Sequence, residues 1–321
     1  MASGISKLLV AAALLAGGVT ALPAAAELKG VEIIAPAGPG GGYDQHARAM
    51  QQVLQNEKLA SKVQVVNVPG AGGTIGLSQF VTGRKRDTGL IISGLGMVGA
   101  VLTNNSPVTL DQVTPLARLT GEYQALVVAA DSPIKSVADL VAKFKADPGS
   151  VSMGGFAAGS PDHILYGMIV KAIGGDVSKM NFIAAGAGGE MLAAVMGGHL
   201  TVGTGGYNEF ASQIQAGKLR AIAVSSATRL PGIDAPTLKE QGVDVELVNW
   251  RSVMAQGGLK PAERKELDAA MGRMVQSAEW KQILKERGWV DAYLPSDQFA
   301  AFVKDQQAVI KATLTDLGLL K

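Results

Sequence analysis

The sequence predicts an α/β protein built from doubly wound parallel sheets, and two observations lead to that prediction. Short apolar runs alternate with segments of helical period, and the turns between them are short and rich in glycine. The chain has 321 residues, and at roughly 100–200 residues per domain this length favours two domains. Sheets of this kind bind ligands at the carboxyl ends of their strands, where the glycine-rich turns fall.

Residues 1–26 are predicted to be an export signal. Lys7 precedes an apolar stretch that is shorter than the ~20 residues needed to span a bilayer. Ala24 and Ala26 then fit the small-residue pattern of a signal-peptidase site. We therefore expect cleavage after Ala26 and a mature chain that begins at Glu27 in the periplasm.

The charge balance and the missing cysteines exclude several classes of protein. Removal of residues 1–26 takes away one charged residue, Lys7, so Lys and Arg fall from 29 to 28 against 27 Asp and Glu. A nearly neutral chain lacks the basic surface that nucleic acid requires. The chain has no cysteine, which excludes disulfides and thiolate ligands. His46, His163 and His199 lack metal-ligand spacing, so we expect no metal and no cofactor.

The first part of the chain contains three predicted strand–turn–helix units. The strands are Val31–Ala35, Val63–Val68 and a run from Leu90 to Ser93. The turns that follow them are Gly38–Gly42, Pro69–Gly73 and Gly94–Gly96.

A second group of units repeats this pattern, and the C-terminal part is helical. The predicted strands are Gln124–Ala129, Val151–Met153, Phe182–Ala184, Leu200–Val202 and Leu219–Val224. The turns are Gly154–Gly159, Gly186–Gly189 and Gly203–Tyr207, and the helices are Val137–Phe144 and one with Ser160 as N-cap and Pro161 as its first residue. The C-terminal helices are Pro261–Gln276, Glu279–Arg287 and Ser296–Leu317, which we expect to pack back on the first domain.

The glycine turns suggest how an anion would be held. A turn at a helix start leaves backbone N–H groups uncovered, and the helix dipole adds partial positive charge. For any single turn, an ordinary structural role explains the glycines. Several such turns converging on one cleft favour an anion site. Because Gly38–Asp44 and Gly155–His163 contain no Lys or Arg, we expect recognition by backbone N–H groups rather than by ion pairing.

Polar and aromatic residues at these turns are candidates for the site. Tyr43, Phe156 and Tyr207 lie in or directly after turns rather than on apolar helix faces, which favours pocket walls. Asp44 and Asp162 lie in first helical turns, where capping is the default role. For His163, a ligand contact and a partly exposed helical position are equally supported.

The sequence does not support a catalytic motif or a nucleotide-binding motif. Gly94–Gly99 matches the dinucleotide pattern formally, but Asn104–Pro107 interrupts the chain where the next strand and its terminal acid should follow. The sequence has no Gly-x-Ser-x-Gly elbow and no phosphate-binding P-loop. An α/β enzyme stays open as an alternative, without a nucleophile–base pair visible in the sequence.

Four segments closely resemble the substrate-binding subunits of tripartite tricarboxylate transporters, the Bug-type receptors. They are Pro36–Asp44, Asn67–Gly76, Ala216–Val224 and Leu230–Leu238. Pro-Gly-Ala-Gly-Gly and Ala-Gly-Lys-Leu-Arg-Ala at this separation are a specific signature. The resemblance covers essentially the whole mature chain in the same order.

The resemblance implies a type II periplasmic-binding-protein fold with two doubly wound lobes, two crossing segments and a ligand cleft between the lobes. It places lobe 1 at residues 27–125 and 249–321, and lobe 2 at residues 126–248. The crossings are expected near Glu122–Val127 and Glu246–Ser252. Two turns, one per lobe, dominate ligand contact in the family, and they match Gly38–Asp44 and Gly155–His163. The expected ligand-binding residues are Gly38, Gly40, Gly41, Gly42, Tyr43, Asp44, Gly70, Met97, Gly155, Phe156, Ala157, Gly159, Ser160, Asp162, His163, Gly188 and Tyr207.

The resemblance also implies a function, with the ligand left open. We expect a monomeric receptor, not an enzyme, that delivers a small carboxylate to the large and small integral-membrane subunits of a tripartite transporter. The turn at residues 40–44 favours citrate-like ligands, whereas Phe156 with Ala157 leaves room for an aromatic acid. A dicarboxylate is the third possibility. The alternatives are a periplasmic enzyme acting on an organic acid and a sensing subunit for a membrane kinase.

Overall fold

The computed structural model describes residues 27–83, 88–185 and 188–320. The predicted export signal and residues 186–187 of one predicted glycine turn lie outside the described residues. In the part that is described, no helix is long and apolar enough to cross a membrane.

The first strands and helices form a parallel α/β unit, as the sequence predicts. Three parallel strands have the order β2-β1-β3, with Val31 opposite Val63 in the register of β1 and β2. The strands are β1 (Val31–Ala35), β2 (Val63–Asn67) and β3 (Gly89–Gly94), and the helices are α1 (Gly42–Asn56), α2 (Thr74–Thr82) and α3 (Leu95–Thr103). Helices α1 and α2 each follow a glycine turn. The predicted turn Gly94–Gly96 was wrong, because β3 ends at Gly94 and α3 begins directly at Leu95.

Two long strands connect this unit to the rest of the sheet. They are β4 (Val113–Ala129) and β9 (Val248–Gln256). β4 pairs with β9 through Tyr123 and with β7 and β8 from Gln124 onward, so it belongs to both halves of the sheet. The prediction of β4 was too short because Pro115 and Gly121 break the apolar pattern. Pro115 lies where the register shifts, and a β-bulge is one of the few places where a strand accepts proline.

The second group of units forms the other half of the sheet. β6, β5 and β7 are parallel, in that order, and β7 and β8 run antiparallel to β4. The strands are β5 (Ser152–Gly155), β6 (Asn181–Ala184), β7 (Val202–Gly206) and β8 (Leu219–Val224). The helices are α4 (Val137–Ala146), α5 (Pro161–Ala172), α6 (Gly188–Met196) and α7 (Tyr207–Gln215).

The prediction of a strand at Leu200–Val202 and a glycine turn at Gly203–Tyr207 was wrong. The strand is Val202–Gly206, all five of its residues are buried, and α7 begins directly at Tyr207. Its glycines admit close neighbours: a Cβ on Gly203 would lie 2.8 Å from a methyl carbon of Val195. Glycine inside a strand commonly marks such a close approach rather than a turn.

The C-terminal helices pack against the first half of the sheet, as expected. They are α8 (Pro261–Gln276), α9 (Ala278–Arg287) and α10 (Ser296–Asp316), and their apolar residues Met271, Trp280 and Phe299 lie in the core cluster that contains β1 and β3. The sequence prediction missed β10 (Val290–Pro295), which pairs antiparallel with β4. Its side chains are half-buried or exposed, so it lacks the buried apolar alternation that identifies a strand.

Candidate ligand-binding site

The first turn, Gly38–Asp44, joins β1 to α1, and a buried carboxylate holds it in shape. One oxygen of Asp44 accepts a hydrogen bond from the backbone N–H of Gly40 (2.8 Å), and Asp44 also accepts from Arg48 Nε (3.0 Å) and Asn67 Nδ2 (2.8 Å). Burial opposes ionisation, but the hydrogen bonds from Arg48, Gly40 and Asn67 outweigh it and hold the pKa of Asp44 below its usual value. Asp44 therefore acts on the turn, not as a free anion.

The second turn, Gly155–His163, joins β5 to α5 and is likewise held in shape by a buried carboxylate. The buried Asp162 accepts hydrogen bonds from the backbone N–H of Phe156 (3.0 Å) and the hydroxyl of Ser160 (3.2 Å), and also from the side-chain amide of Gln124. Ser160 caps α5 by accepting from the backbone N–H of His163 (3.4 Å). Burial raises the pKa of Asp162 to about 6, against the effect of these hydrogen bonds.

These hydrogen bonds determine which backbone N–H groups of the two turns remain available to a ligand. The N–H groups of Gly40 and Phe156 already bind carboxylates of their own turns. The first N–H groups of an α-helix have no acceptor within the helix, and in α1 they belong to Gly42–Asp44. At the start of α5 only the N–H of Asp162 is left, because Pro161 has none and His163 donates to Ser160. Both helix N-termini therefore present donors and the positive end of a dipole.

His163 has a neutral ring that is held against an aromatic neighbour. It stacks on Phe182 with ring centres 4.1 Å apart, and its Nδ1 accepts from the backbone N–H of Gly159 (3.3 Å). Burial lowers the pKa of His163 to about 4, so at neutral pH the ring carries no charge. A ligand contact from His163 would be a neutral one.

Helix α3 brings the two turns together. A Cβ on Gly96 would lie 3.3 Å from the hydroxyl of Tyr43 and 3.4 Å from Cδ of Pro161. A Cβ on Gly99 would lie only 2.1 Å from the carbonyl oxygen of Gly159. Both turns therefore lie close against α3, because its glycines leave room for them.

The other predicted site residues lie around this contact in different environments. Met97 is fully buried, and its sulfur accepts a hydrogen bond from Ser93. Phe156 and Tyr207 are partly buried against the core cluster beside β7. Gly188 begins α6, and Gly70 adopts the positive φ of +123° ahead of α2.

Arg251 on β9 is a site residue that sequence reasoning missed. Its side chain is only 10% exposed, and a Cβ on Gly42 would lie 2.7 Å from its Nη2. Its guanidinium carbon lies 4.7 Å from the centre of the Tyr43 ring, a cation–π distance. Its Nη2 lies 3.8 Å from a carboxylate oxygen of Glu122, while its Nε has no hydrogen-bond partner among the described residues. One signal was available, since Arg251 stood in the predicted crossing segment directly after the apolar Trp250.

Carboxyl groups from both halves of the sheet surround Arg251. Glu122 lies on β4 and accepts from the indole of Trp289 (2.8 Å). Burial and the nearby carboxyls of Glu122 and Asp162 raise the pKa of Glu209 to about 8, with Arg251 acting in the opposite direction. At neutral pH Glu209 is therefore mostly protonated, which lowers the negative charge around Arg251.

The buried side chain of His46 links the first turn to β4 by hydrogen bonds. Its Nδ1 lies 2.8 Å from the carbonyl oxygen of Gly42 and its Nε2 lies 2.7 Å from the hydroxyl of Thr120. Because a carbonyl oxygen can only accept, Nδ1 carries the proton and Nε2 accepts from Thr120. The ring stacks on Trp289 at 3.6 Å. Burial, followed by the charge of Arg251, holds the pKa of His46 well below its usual value, so the ring is neutral.

The other basic residues near the turns in sequence are occupied elsewhere. Arg48 binds Asp44. Arg118 donates to the carbonyl oxygen of Ala292 (2.7 Å). Arg251 is instead packed against Gly42 and Tyr43 of the first turn, although β9 is more than 200 residues from that turn in sequence. Within the described residues, no group of three or more His, Cys, Asp or Glu could hold a metal ion.

Two α/β lobes, whose glycine turns at helix N-termini both lie against α3, define a two-lobed solute-binding protein. The chain matches the model of the tripartite tricarboxylate transporter family receptor over residues 46–319 and belongs to that family. The family consists of periplasmic solute-binding receptors. The type II periplasmic-binding-protein fold expected from the sequence is confirmed.

Individual proteins with curated sequences or solved structures resemble the chain over most of its length. Protein BugT of Bordetella pertussis is 27% identical over 282 residues, which cover 86% of this chain and 85% of BugT. A TctC solute-binding protein from Polaromonas is 27% identical, with a TM-score of 0.67, over 90% of this chain and 98% of its own. A protein of R. palustris solved with adipate has a TM-score of 0.81 at 21% identity, over 90% of this chain and 97% of its own.

Proposed function

We propose that this receptor captures a small carboxylate between the turns Gly38–Asp44 and Gly155–His163 and delivers it to the large and small membrane subunits of a tripartite transporter. The observation that carries the proposal is the contact of both turns with α3, at Gly96 and Gly99. That contact brings two helix N-termini to one place. Helix N-termini are ready-made anion sites because their N–H groups are unpaired and their dipole is positive.

The proposed lobes are residues 27–125 with 249–321, and residues 126–248. β4 and β9 are the proposed connections. The pairing of β4 supports this division, because its partner changes from β9 to β7 and β8 between Tyr123 and Gln124. The mature receptor is proposed to begin at Glu27 and to act as a monomer in the periplasm.

The free energy of binding limits what the helix ends supply. A micromolar site needs about 8 kcal/mol. A helix end contributes about 0.3–1 kcal/mol, and up to about 2 kcal/mol in a partly buried geometry. Charge-assisted hydrogen bonds, at about 1.5–3 kcal/mol each, therefore have to supply most of the rest.

The ligand is proposed to be a di- or tricarboxylate or an aromatic acid. The adipate-bound protein that shares this fold supports a dicarboxylate. The run of glycines before Asp44 keeps a citrate-like acid as a candidate. Phe156 is only partly buried, which leaves an aromatic face for a ring.

A thermal-shift screen with citrate, malate, adipate and benzoate tests the proposed function, with glucose and magnesium chloride as controls. A ligand that binds only the native state at 100 times its Kd adds about 2.7 kcal/mol, which predicts a rise in Tm of about 4 °C or more. Quantitative recovery of the acid after incubation checks that it is bound and not converted. A response to the sugar or the cation, without any response to the acids, would contradict the proposal.

A further inference from the structure

Arg251 is a buried cation whose side-chain donors are only partly paired within the described residues. The residue is 9% exposed, and its Nε lacks a partner among the described residues. Its nearest carboxylate, Glu122, lies at 3.8 Å, beyond hydrogen-bond distance, and already accepts from Trp289. Arginine is almost never fully buried without a partner, because desolvation of its charge is costly. The guanidinium therefore has donors to offer to an acceptor that enters the site.

A further buried polar atom without a partner lies near this guanidinium. The side-chain oxygen of Asn249 has no hydrogen-bond partner within the described parts of the chain, and the ring of Tyr43 is in contact with Arg251. Asn249 lies two residues before Arg251 on β9 and opposite Glu122 in the register. Because side chains alternate along a strand, Asn249 and Arg251 point to the same face of the sheet. Most buried polar groups in native structures are paired, so this group indicates a place where a polar ligand completes the pairing.

We infer that Arg251 binds one carboxylate of the ligand at the floor of the cleft, while a second carboxylate of the same ligand binds the backbone N–H groups of the turns. The inference rests on the proposed function and narrows it. A ligand with two or more carboxylates fills both anion sites, whereas a monocarboxylic acid such as benzoate fills only one. Arg251 is therefore the specificity-determining residue for polycarboxylates.

The geometry of arginine suits this role better than that of lysine. The planar guanidinium presents paired N–H donors that match a carboxylate, and the Tyr43 ring beneath it fixes its plane. Gly42 leaves the space that the Nη2 atom occupies, because a Cβ there would lie 2.7 Å from it. The Tyr43 ring and the space left at Gly42 thus orient the guanidinium of Arg251 beside the first turn.

Calorimetric titration tests the inference with malate and adipate, each compared with the monoamide of the same acid. Loss of one charge-assisted contact of about 1.5–3 kcal/mol predicts that each monoamide binds the wild-type receptor about 10–100-fold more weakly. In Arg251→Met the diacid should bind no better than its monoamide, and Arg251→Lys should keep part of the difference. Arg229→Met is the matched control, because Arg229 is half-exposed and pairs with Glu240 on the surface. It should retain the full difference.

The outcomes separate the two proposals. Equal binding of diacid and monoamide to the wild-type receptor would overturn the role of Arg251, and so would an undiminished difference in Arg251→Met. If Arg251→Met fails to unfold cooperatively, the wild-type comparison and Arg251→Lys decide. Failure of every acid to bind the wild-type receptor would instead refute the proposed function, and the role of Arg251 with it.

Discussion

The guanidinium carbon of Arg251 lies 4.7 Å from the centre of the Tyr43 ring. Tyr43 is the second residue of α1, whereas Arg251 lies on the long strand β9. The glycine turn offers backbone N–H donors. Through the contact with Tyr43, the positively charged side chain of Arg251 is held next to this turn. The two proposed anion sites therefore lie side by side, which is the arrangement that a ligand with more than one carboxylate requires.

Gly99→Ala is expected to weaken ligand binding without destabilising the ligand-free receptor. The added Cβ would lie 2.1 Å from the carbonyl oxygen of Gly159, so α3 and the second turn could no longer approach each other. Alanine favours a helix over glycine by about 1 kcal/mol, so a ligand-free receptor that opens and separates α3 from the second turn should melt at the same temperature or higher. Small-angle scattering should show that ligand lowers the radius of gyration of the wild-type receptor but not of the variant. Gly30→Ala is the control, since a Cβ there has nothing within 4 Å; equal affinity of Gly99→Ala and wild type would contradict this prediction.

Gly41→Val is expected to lower acid affinity about tenfold or more, which corresponds to about 1.4 kcal/mol. The backbone of Gly41, with φ −70° and ψ 162°, suits any residue, so the effect comes from crowding. A Cβ would already lie 3.2 Å from Cβ of Ala37 and from the carbonyl oxygen of Gly38, and a branched side chain adds to this beside the N–H groups of α1. Calorimetry should show the loss in Gly41→Val and none in Gly30→Val. Unchanged affinity would mean that the first turn does not hold the acid.

His46→Leu is expected to destabilise the fold by about 3–5 kcal/mol. The variant loses two hydrogen bonds of about 1 kcal/mol each and leaves the Thr120 hydroxyl buried without its partner, at a further cost of about 1–3 kcal/mol. Urea unfolding followed by circular dichroism measures the change, and His199→Leu on the exposed surface is the control. A loss no larger than that of His199→Leu would show that His46 does not support the first turn.

Glu209 is expected to make the receptor less stable as the pH rises. Its pKa is raised to about 8 in the folded state, while an unfolded glutamate has a pKa of about 4.3. Between these values the folded state binds more protons than the unfolded state, so the free energy of unfolding falls with increasing pH. Glu209→Gln should lack this part of the decline when urea midpoints are compared from about pH 5 to about pH 9. The exposed Glu57→Gln should follow the wild type; a parallel decline in Glu209→Gln would refute the assignment.

The contribution of His46 to stability changes with pH in the opposite direction to that of Glu209. Only the difference between Glu209→Gln and the wild type therefore isolates the contribution of Glu209. Its folded pKa is held well below the usual value by burial, while an unfolded histidine has a pKa of about 6.5. The stability that His46 contributes is complete above that value and is lost as the pH falls below it. Subtraction of the wild-type curve from that of Glu209→Gln removes this contribution.

Local patterns in the sequence predicted much of the fold. β1 and β8 have the predicted bounds, and Ser160 caps α5 as predicted, because apolar runs and capping residues act through near neighbours. β10 was missed because its pairing with β4 joins residues far apart in the chain and buries little. The glycines of β7 were assigned to a turn because sequence alone does not show which side chain will press against them.

The site was predictable only in part, for the same reason. The turns Gly38–Asp44 and Gly155–His163 were found from their own composition. The group formed by Arg251, Glu122 and Glu209 was missed because its members come from β9, β4 and α7. Each looks ordinary in its own segment, and only the tertiary structure shows that they share a charge environment.

A crystal structure of the receptor with the best-binding diacid tests the central claim most directly. The account predicts one ligand between the two turns, with one carboxylate against the guanidinium of Arg251 and the other against backbone N–H groups of Gly42–Asp44 or of the start of α5. A diacid bound outside this cleft, or bound within it without contact to either turn, would contradict the account.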